Sequence, residues 1–147
     1  MAENYNEVTI LIVDDDDLDV IGIKRAFKKL LITNPVERAR NGAEALDMLR
    51  GKLSGQPILV LLDLNMPIMG GFEFLNAIRD DAELSRTLIF VLSTSKSDED
   101  KLAAYKKNIA GYVVKSELDI SYQKLMNLLT SYWQIVEFPD IKNKVES

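Results

Sequence analysis

The sequence predicts an α/β fold built on a doubly wound, five-stranded parallel sheet flanked by five helices. Three observations carry this. Short, wholly apolar runs recur along the chain and are separated by stretches with helical periodicity. The apolar runs show no in–out alternation, as expected of strands covered on both faces. The chain has 147 residues, whereas an eight-fold barrel typically needs about 250.

The elements follow in order. Val8–Val13 is an apolar, β-branched first strand. Leu18–Leu31 carries Val20, Ile23, Phe27, Leu30 and Leu31 at helical spacing, with Asp16 or Asp17 as the N-cap. Pro35–Arg40 is a weak second strand, Asn41-Gly42 a turn, and Ala43–Leu53 a helix with Ala45, Leu46 and Leu49 inward. Ile58–Leu62 is the third strand, ending in Asp63, and the loop Leu64–Gly71 leads to a helix over Phe72–Arg79. Leu88–Leu92 is the fourth strand, ending in Ser93-Thr94-Ser95, and Asp98–Lys107 is a polar helix. Gly111–Val114 is the last strand, ending in Lys115, and Leu118–Val136 is a long closing helix. Residues 8–136 are thus expected to form one domain, with polar extensions at 1–7 and 137–147.

Composition narrows the chemistry. With 18 basic and 23 acidic residues the net charge is −5, which offers no general attraction to nucleic acid or an anionic membrane. No apolar run reaches the about 20 residues that span a bilayer, and Met1–Glu7 does not read as a targeting signal. A cytoplasmic location is the expectation. Cysteine and histidine are both absent. This excludes thiolate catalysis, Ser-His-Asp chemistry, phosphohistidine and the common zinc sites.

Sites in open α/β sheets lie beyond the carboxyl ends of the strands, at the reversal of strand order. The strand ends here are Asp14-Asp15, Asp63, Ser93-Thr94 and Lys115. Crowded carboxylates repel one another, and a hard, oxygen-liking cation relieves the repulsion. Mg²⁺ suits such a set best, with phosphate as co-ligand. A lysine and a hydroxyl beside it can bind a phosphoryl oxygen. Together these groups suit a carboxylate nucleophile in phosphoryl transfer.

These residues resemble a known family, the receiver domains of bacterial two-component response regulators. The resemblance rests on Val8–Val13 with Asp14-Asp15, on Asp63-Leu64-Asn65-Met66-Pro67-Ile68-Met69-Gly70-Gly71, on Ser93, and on Tyr112-Val113-Val114-Lys115. It spans about Val8–Trp133 and implies a flavodoxin-like fold. It further implies Asp63 as phosphoacceptor, a Mg²⁺ site from Asp14, Asp15, Asp63 and the Asn65 carbonyl, and phosphoryl binding by Ser93 and Lys115, with Thr94 beside them. Tyr112 would change rotamer as Ser93 moves toward the phosphate. Asn65 and Ser95 would influence phosphoryl lifetime, and both being small and neutral implies a modest one. Ser116 stands where the family usually has proline after the lysine, which leaves the Lys115–Ser116 peptide geometry open. Ser116, the long last helix and Phe138-Pro139 are similar to the single-domain regulators associated with cyanobacterial phytochromes.

The implied partners are a sensor histidine kinase or histidine phosphotransfer protein and a downstream protein. In the closing helix, Leu118, Tyr122, Leu125, Leu129, Trp133 and Val136 fall on one stripe. Leu128 and Ile135 broaden the apolar arc, and Phe138 adjoins it, so this surface is a candidate homodimer interface. Two other classes compete. A haloacid-dehalogenase-like phosphatase would use Asp14 as nucleophile, but Leu18 stands where Thr or Val is usual. A flavin-binding electron carrier would need a Ser/Thr/Gly-rich phosphate loop, and four aspartates stand there instead.

Overall fold

The computed structural model describes residues 8–117, together with Lys124, Asn127 and Ser131. Among the described residues five strands, β1 (Thr9–Val13), β2 (Val36–Ala39), β3 (Ile58–Asp63), β4 (Leu88–Ser93) and β5 (Gly111–Val114), alternate with four helices. These are α1 (Asp17–Lys29), α2 (Gly42–Arg50), α3 (Gly71–Asp80) and α4 (Asp98–Tyr105), and Lys115–Glu117 adds a single 3-10 turn. All pairings are parallel, in the order β2-β1-β3-β4-β5. This is the flavodoxin-like arrangement, whose reversal of strand order falls between β1 and β3.

The two faces of the sheet build two cores. Leu11, Val13, Val60, Leu62, Ile89 and Val91 face α2 and α3, where they meet Ala45, Leu46, Leu49, Phe74, Leu75 and Ile78. Ile10, Ile12, Leu59, Leu61, Phe90 and Leu92 alternate with them and face Val20, Ile23 and Phe27 of α1. Coverage on both sides explains why the central strands read as unbroken apolar runs.

The element limits move by one to three residues from the sequence reading. α1 stops at Lys29, and Leu31 is not inward as expected. It sits in the left-handed region (φ 59°) and is 84% exposed. Ile32 N–H bonds back to the Phe27 carbonyl, so the chain leaves the helix before Leu31 can reach the core. α2 ends at Arg50 rather than Leu53, because Gly51 and Leu53 N–H groups turn back onto Met48. Leu53 is still buried. The expected closing helix, with Leu128, Ile135 and Phe138, lies outside the described residues; Lys124, Asn127 and Ser131 are helical and exposed.

Candidate functional site

Sheet register assembles the site. Val13 pairs with Leu62, so one further step along β1 and β3 puts Asp14 opposite Asp63. Asp63 pairs with Leu92, and Ser93 pairs with Val114, so Ser93 and Lys115 each stand one residue further along the same edge. The edge is held open by local chain chemistry. Asp16 caps α1, accepting from Leu18 and Asp19 N–H at 2.9 and 3.3 Å, and turns the chain directly after the acidic pair. Asp14 Oδ1 accepts from Asp16 N–H at 2.9 Å. Arg38 donates from Nε to the Asp14 carbonyl at 3.0 Å and pairs with Asp17 at 2.8 Å, which ties β2 to the same loop.

The loop after β3 folds under α3 at Gly71. A Cβ there would lie 2.5 Å from the Leu64 Cα and 2.8 Å from the Asp63 carbonyl oxygen, so only glycine permits the approach. Gly71 N–H bonds the Leu64 carbonyl at 2.9 Å, and Gly42 N–H bonds the Met69 carbonyl at 3.0 Å. Ile68, at the loop tip, has φ 68° and is exposed.

Asp14, Asp15 and Asp63 each offer a carboxylate oxygen within 4.8 Å of the others. Asp14 and Asp63 are buried, whereas Asp15 is exposed. Lys115 Nζ reaches into this group. It donates to Asp14 Oδ2 at 3.1 Å and to Asp19 Oδ2 at 2.7 Å, and lies 3.6 Å from Asp63 Oδ1. Burial raises the Asp63 carboxyl to about 6, with Asp14 and Asp15 adding to the effect and Lys115 and the Asn65 N–H opposing it. Burial likewise raises Asp14, against the Asp16 N–H and Lys115. For Lys115, burial favours the neutral amine, but Asp19, Asp14 and Asp63 together outweigh it and hold the ammonium above its usual range. An all-oxygen, carboxylate-rich donor set of this kind fits a hard divalent cation.

The remaining expected residues divide. Asn65 is exposed and its N–H reaches Asp63 Oδ1 at 3.4 Å. Ser93 is fully buried, and its Oγ accepts from Ser95 N–H at 3.0 Å. Thr94 is exposed. The Tyr112 hydroxyl donates to the Ser95 carbonyl at 3.0 Å, and its ring packs against the α2/α3 core. Among the described residues no peptide bond is cis, so Lys115–Ser116 is trans. Asp19 is not among the site residues expected from the sequence, yet it makes the shortest contact to Lys115. Ser95, expected only to influence phosphoryl lifetime, also ties down the loop: its Oγ donates to Asp100 Oδ2 at 2.6 Å and accepts from Ser97 N–H at 3.2 Å. Ser97 caps α4, its side chain accepting from Asp100 N–H. A helical wheel does put Asp19 in the first turn of α1, facing back toward the strand ends, but nothing in the sequence brings Lys115 to it.

A parallel sheet with acids and a lysine gathered at its β1/β3 reversal defines a doubly wound α/β protein whose site suits a divalent cation and a phosphoryl group. Comparison with known proteins makes the class specific: residues 10–129 match the response regulator receiver domain, and the chain belongs to that family. It is 35% identical over 136 residues to the probable methanogenesis regulatory protein FilR2 of Methanothrix harundinacea, covering 90% of this chain and 88% of that one. It is 30% identical over 128 residues to response regulator Rcp1 of Synechocystis, covering 84% and 87% of the two chains. The Mn²⁺-bound structure of Rcp1 superposes with a TM-score of 0.78 over 89% of this chain and 98% of that one. The phosphorylated cyanobacterial phytochrome response regulator RcpA, 30% identical, gives 0.77 over 88% and 96%. The protein is therefore a two-component receiver domain related to phytochrome response regulators. Among its described residues no helix is long and apolar enough to cross a membrane.

Proposed function

We propose that the protein accepts a phosphoryl group on Asp63 from the phosphohistidine of a sensor kinase or phosphotransfer protein, and signals by binding a downstream protein. The observation that carries this is the meeting of Asp14, Asp15 and Asp63 within 4.8 Å, with Lys115 among them. An Asp63 carboxylate oxygen forms a bond to phosphorus as the donor's P–N bond breaks; the bonding pair stays on the ring nitrogen, and because the donor's other ring nitrogen carries a proton, neutral imidazole leaves. Lys115 and the Ser93 hydroxyl supply donors for the phosphoryl oxygens. Asp14, Asp15, Asp63 and the Asn65 carbonyl would hold Mg²⁺. When bound, the cation neutralises the carboxylates and the charge of the transferring group. The chain lacks histidine, so it cannot itself be the phosphohistidine donor. It catalyses only its own phosphorylation and dephosphorylation, and works in the cytoplasm as one domain over residues 8–136.

Transmission follows from the ties of the β4–α4 loop. Drawing the Ser93 hydroxyl toward a phosphoryl oxygen disturbs its bond with Ser95 N–H, and with it the Ser95 carbonyl that holds Tyr112. The haloacid-dehalogenase alternative needs Asp14 as nucleophile, but Asp14 Oδ1 is occupied by Asp16 N–H and Oδ2 by Lys115. Incubation with acetyl phosphate tests the proposal: intact-mass measurement should show one phosphoryl group with Mg²⁺ and none with EDTA. Uptake at an equal rate in EDTA would contradict it.

A further inference from the structure

We infer that Asp19 is a positioning residue that holds Lys115 on the α1 side of the site and so slows phosphoryl uptake. The inference rests on the reading of Asp63 as phosphoacceptor and Lys115 as its phosphoryl partner. The ammonium has three protons to donate. Its shortest contact, 2.7 Å, is to Asp19 Oδ2, and the next, 3.1 Å, is to Asp14 Oδ2. Asp63 Oδ1, at 3.6 Å, is beyond hydrogen-bond length. The lysine is thus committed to α1 and β1 rather than to the residue it serves. A phosphoryl group on Asp63 has to win the ammonium from Asp19.

The geometry suits a competition rather than a fixed strut. Asp19 is a partly exposed side chain (26%), whereas Lys115 is largely covered (13%). The aspartate can therefore give up its partner to water, while the lysine needs another anion close by. Asp14 is buried at the strand end, its Oδ1 bonded to Asp16 N–H, whereas Asp19 has access to water, so Asp19 is the partner that can be exchanged. Its negative charge is not required to start α1, which is capped by Asp16 and also carries Asp17 in its first turn.

The test is a double-mutant cycle on the full chain, with acetyl phosphate and Mg²⁺ as reagents and beryllofluoride affinity by calorimetry as a second readout. Asp19→Asn should take up phosphoryl about fivefold faster than wild type and bind beryllofluoride more tightly by a similar factor, the scale of a partly exposed ion pair. Asp19→Ser, which shortens the side chain, should do the same and guards against a folding defect of the first variant. In a Lys115→Ala background, Asp19→Asn should change neither rate nor affinity. An unchanged or slower rate in both Asp19 variants would overturn the inference, as would equal acceleration with and without Lys115, which would mean simple charge repulsion. If Asp63→Asn is inert and the Asp19 variants match wild type, the Asp19 inference alone fails. If Asp63→Asn is labelled like wild type, the phosphoacceptor reading fails and takes this inference with it.

Discussion

At the scale of single residues, Asp63 is costly to the metal-free fold. Its carboxyl is raised from 3.8 to about 6, chiefly by burial. A carboxyl raised on folding binds its proton more tightly in the folded chain. The folded state is therefore penalised as pH rises from about 4 through about 6, and the penalty is complete above that. Asp63→Asn should raise metal-free stability by about 1–2 kcal/mol at pH 7.5, after allowance for solvent screening, and by almost nothing at pH 4. Urea unfolding in EDTA at the two pH values measures this; equal gains at both would contradict the burial account. Ser93 works differently. It is fully buried and bonded to Ser95 N–H, so Ser93→Ala should still be phosphorylated but fail to release Tyr112 from the Ser95 carbonyl. Normal phosphorylation-dependent binding to a downstream partner in Ser93→Ala would rule out this route. Strand-end identities were legible from the sequence because four apolar runs each stop at a polar residue. The Asp19–Lys115 bond was not, since it joins residues 96 apart and depends on the packing of α1 against the sheet.

At the scale of elements, the loops between strand and helix set the geometry, and glycine decides one of them. Gly71→Ala would drive a methyl group into the Leu64 backbone, where the Cβ has only 2.5 Å. The expected cost is about 1–3 kcal/mol, and the β3–α3 loop should shift with it. The thermal midpoint should fall by about 2–12 °C, given the steepness typical of domains near this size. An unchanged midpoint would mean the loop has slack that the backbone contacts do not show. The β4–α4 loop is held by Ser95 to Asp100 and by Tyr112 to Ser95. Neither tie was readable in advance: Ser93-Thr94-Ser95 offers three hydroxyls, and only the fold decides that Ser97 caps α4 and frees Ser95 to bind Asp100. Asn65 is exposed and small beside Asp63, so water has a short approach to a phosphoryl group there. A modest aspartyl-phosphate lifetime is expected, and persistence for many hours in Mg²⁺ would count against it. Helices followed from their period and strands from short apolar runs, while helix ends moved where a backbone N–H turned back, as at Ile32 and Leu53.

At the scale of the whole molecule, the fold concentrates charge where strand order reverses and covers both faces of the sheet with apolar side chains. A divalent cation should offset the repulsion among Asp14, Asp15 and Asp63, so Mg²⁺ should raise the thermal midpoint, increasingly as its concentration passes the dissociation constant. Asp15→Asn should weaken that response. The periodicity of Leu118–Val136 is the basis for a second, separate expectation, self-association through Leu128, Ile135 and Phe138. Light scattering of wild type and of Leu128→Glu with Ile135→Glu, with and without beryllofluoride, tests it: a wild type monomeric in both states contradicts it. The central claim is that one carboxylate, Asp63, takes the phosphoryl group. Its most direct measurement is to phosphorylate the protein, trap the acyl phosphate with borohydride, and locate the reduced residue by peptide mass spectrometry. The account predicts modification at Asp63 alone, abolished in Asp63→Asn. Modification at Asp14, or undiminished labelling of Asp63→Asn, would contradict it.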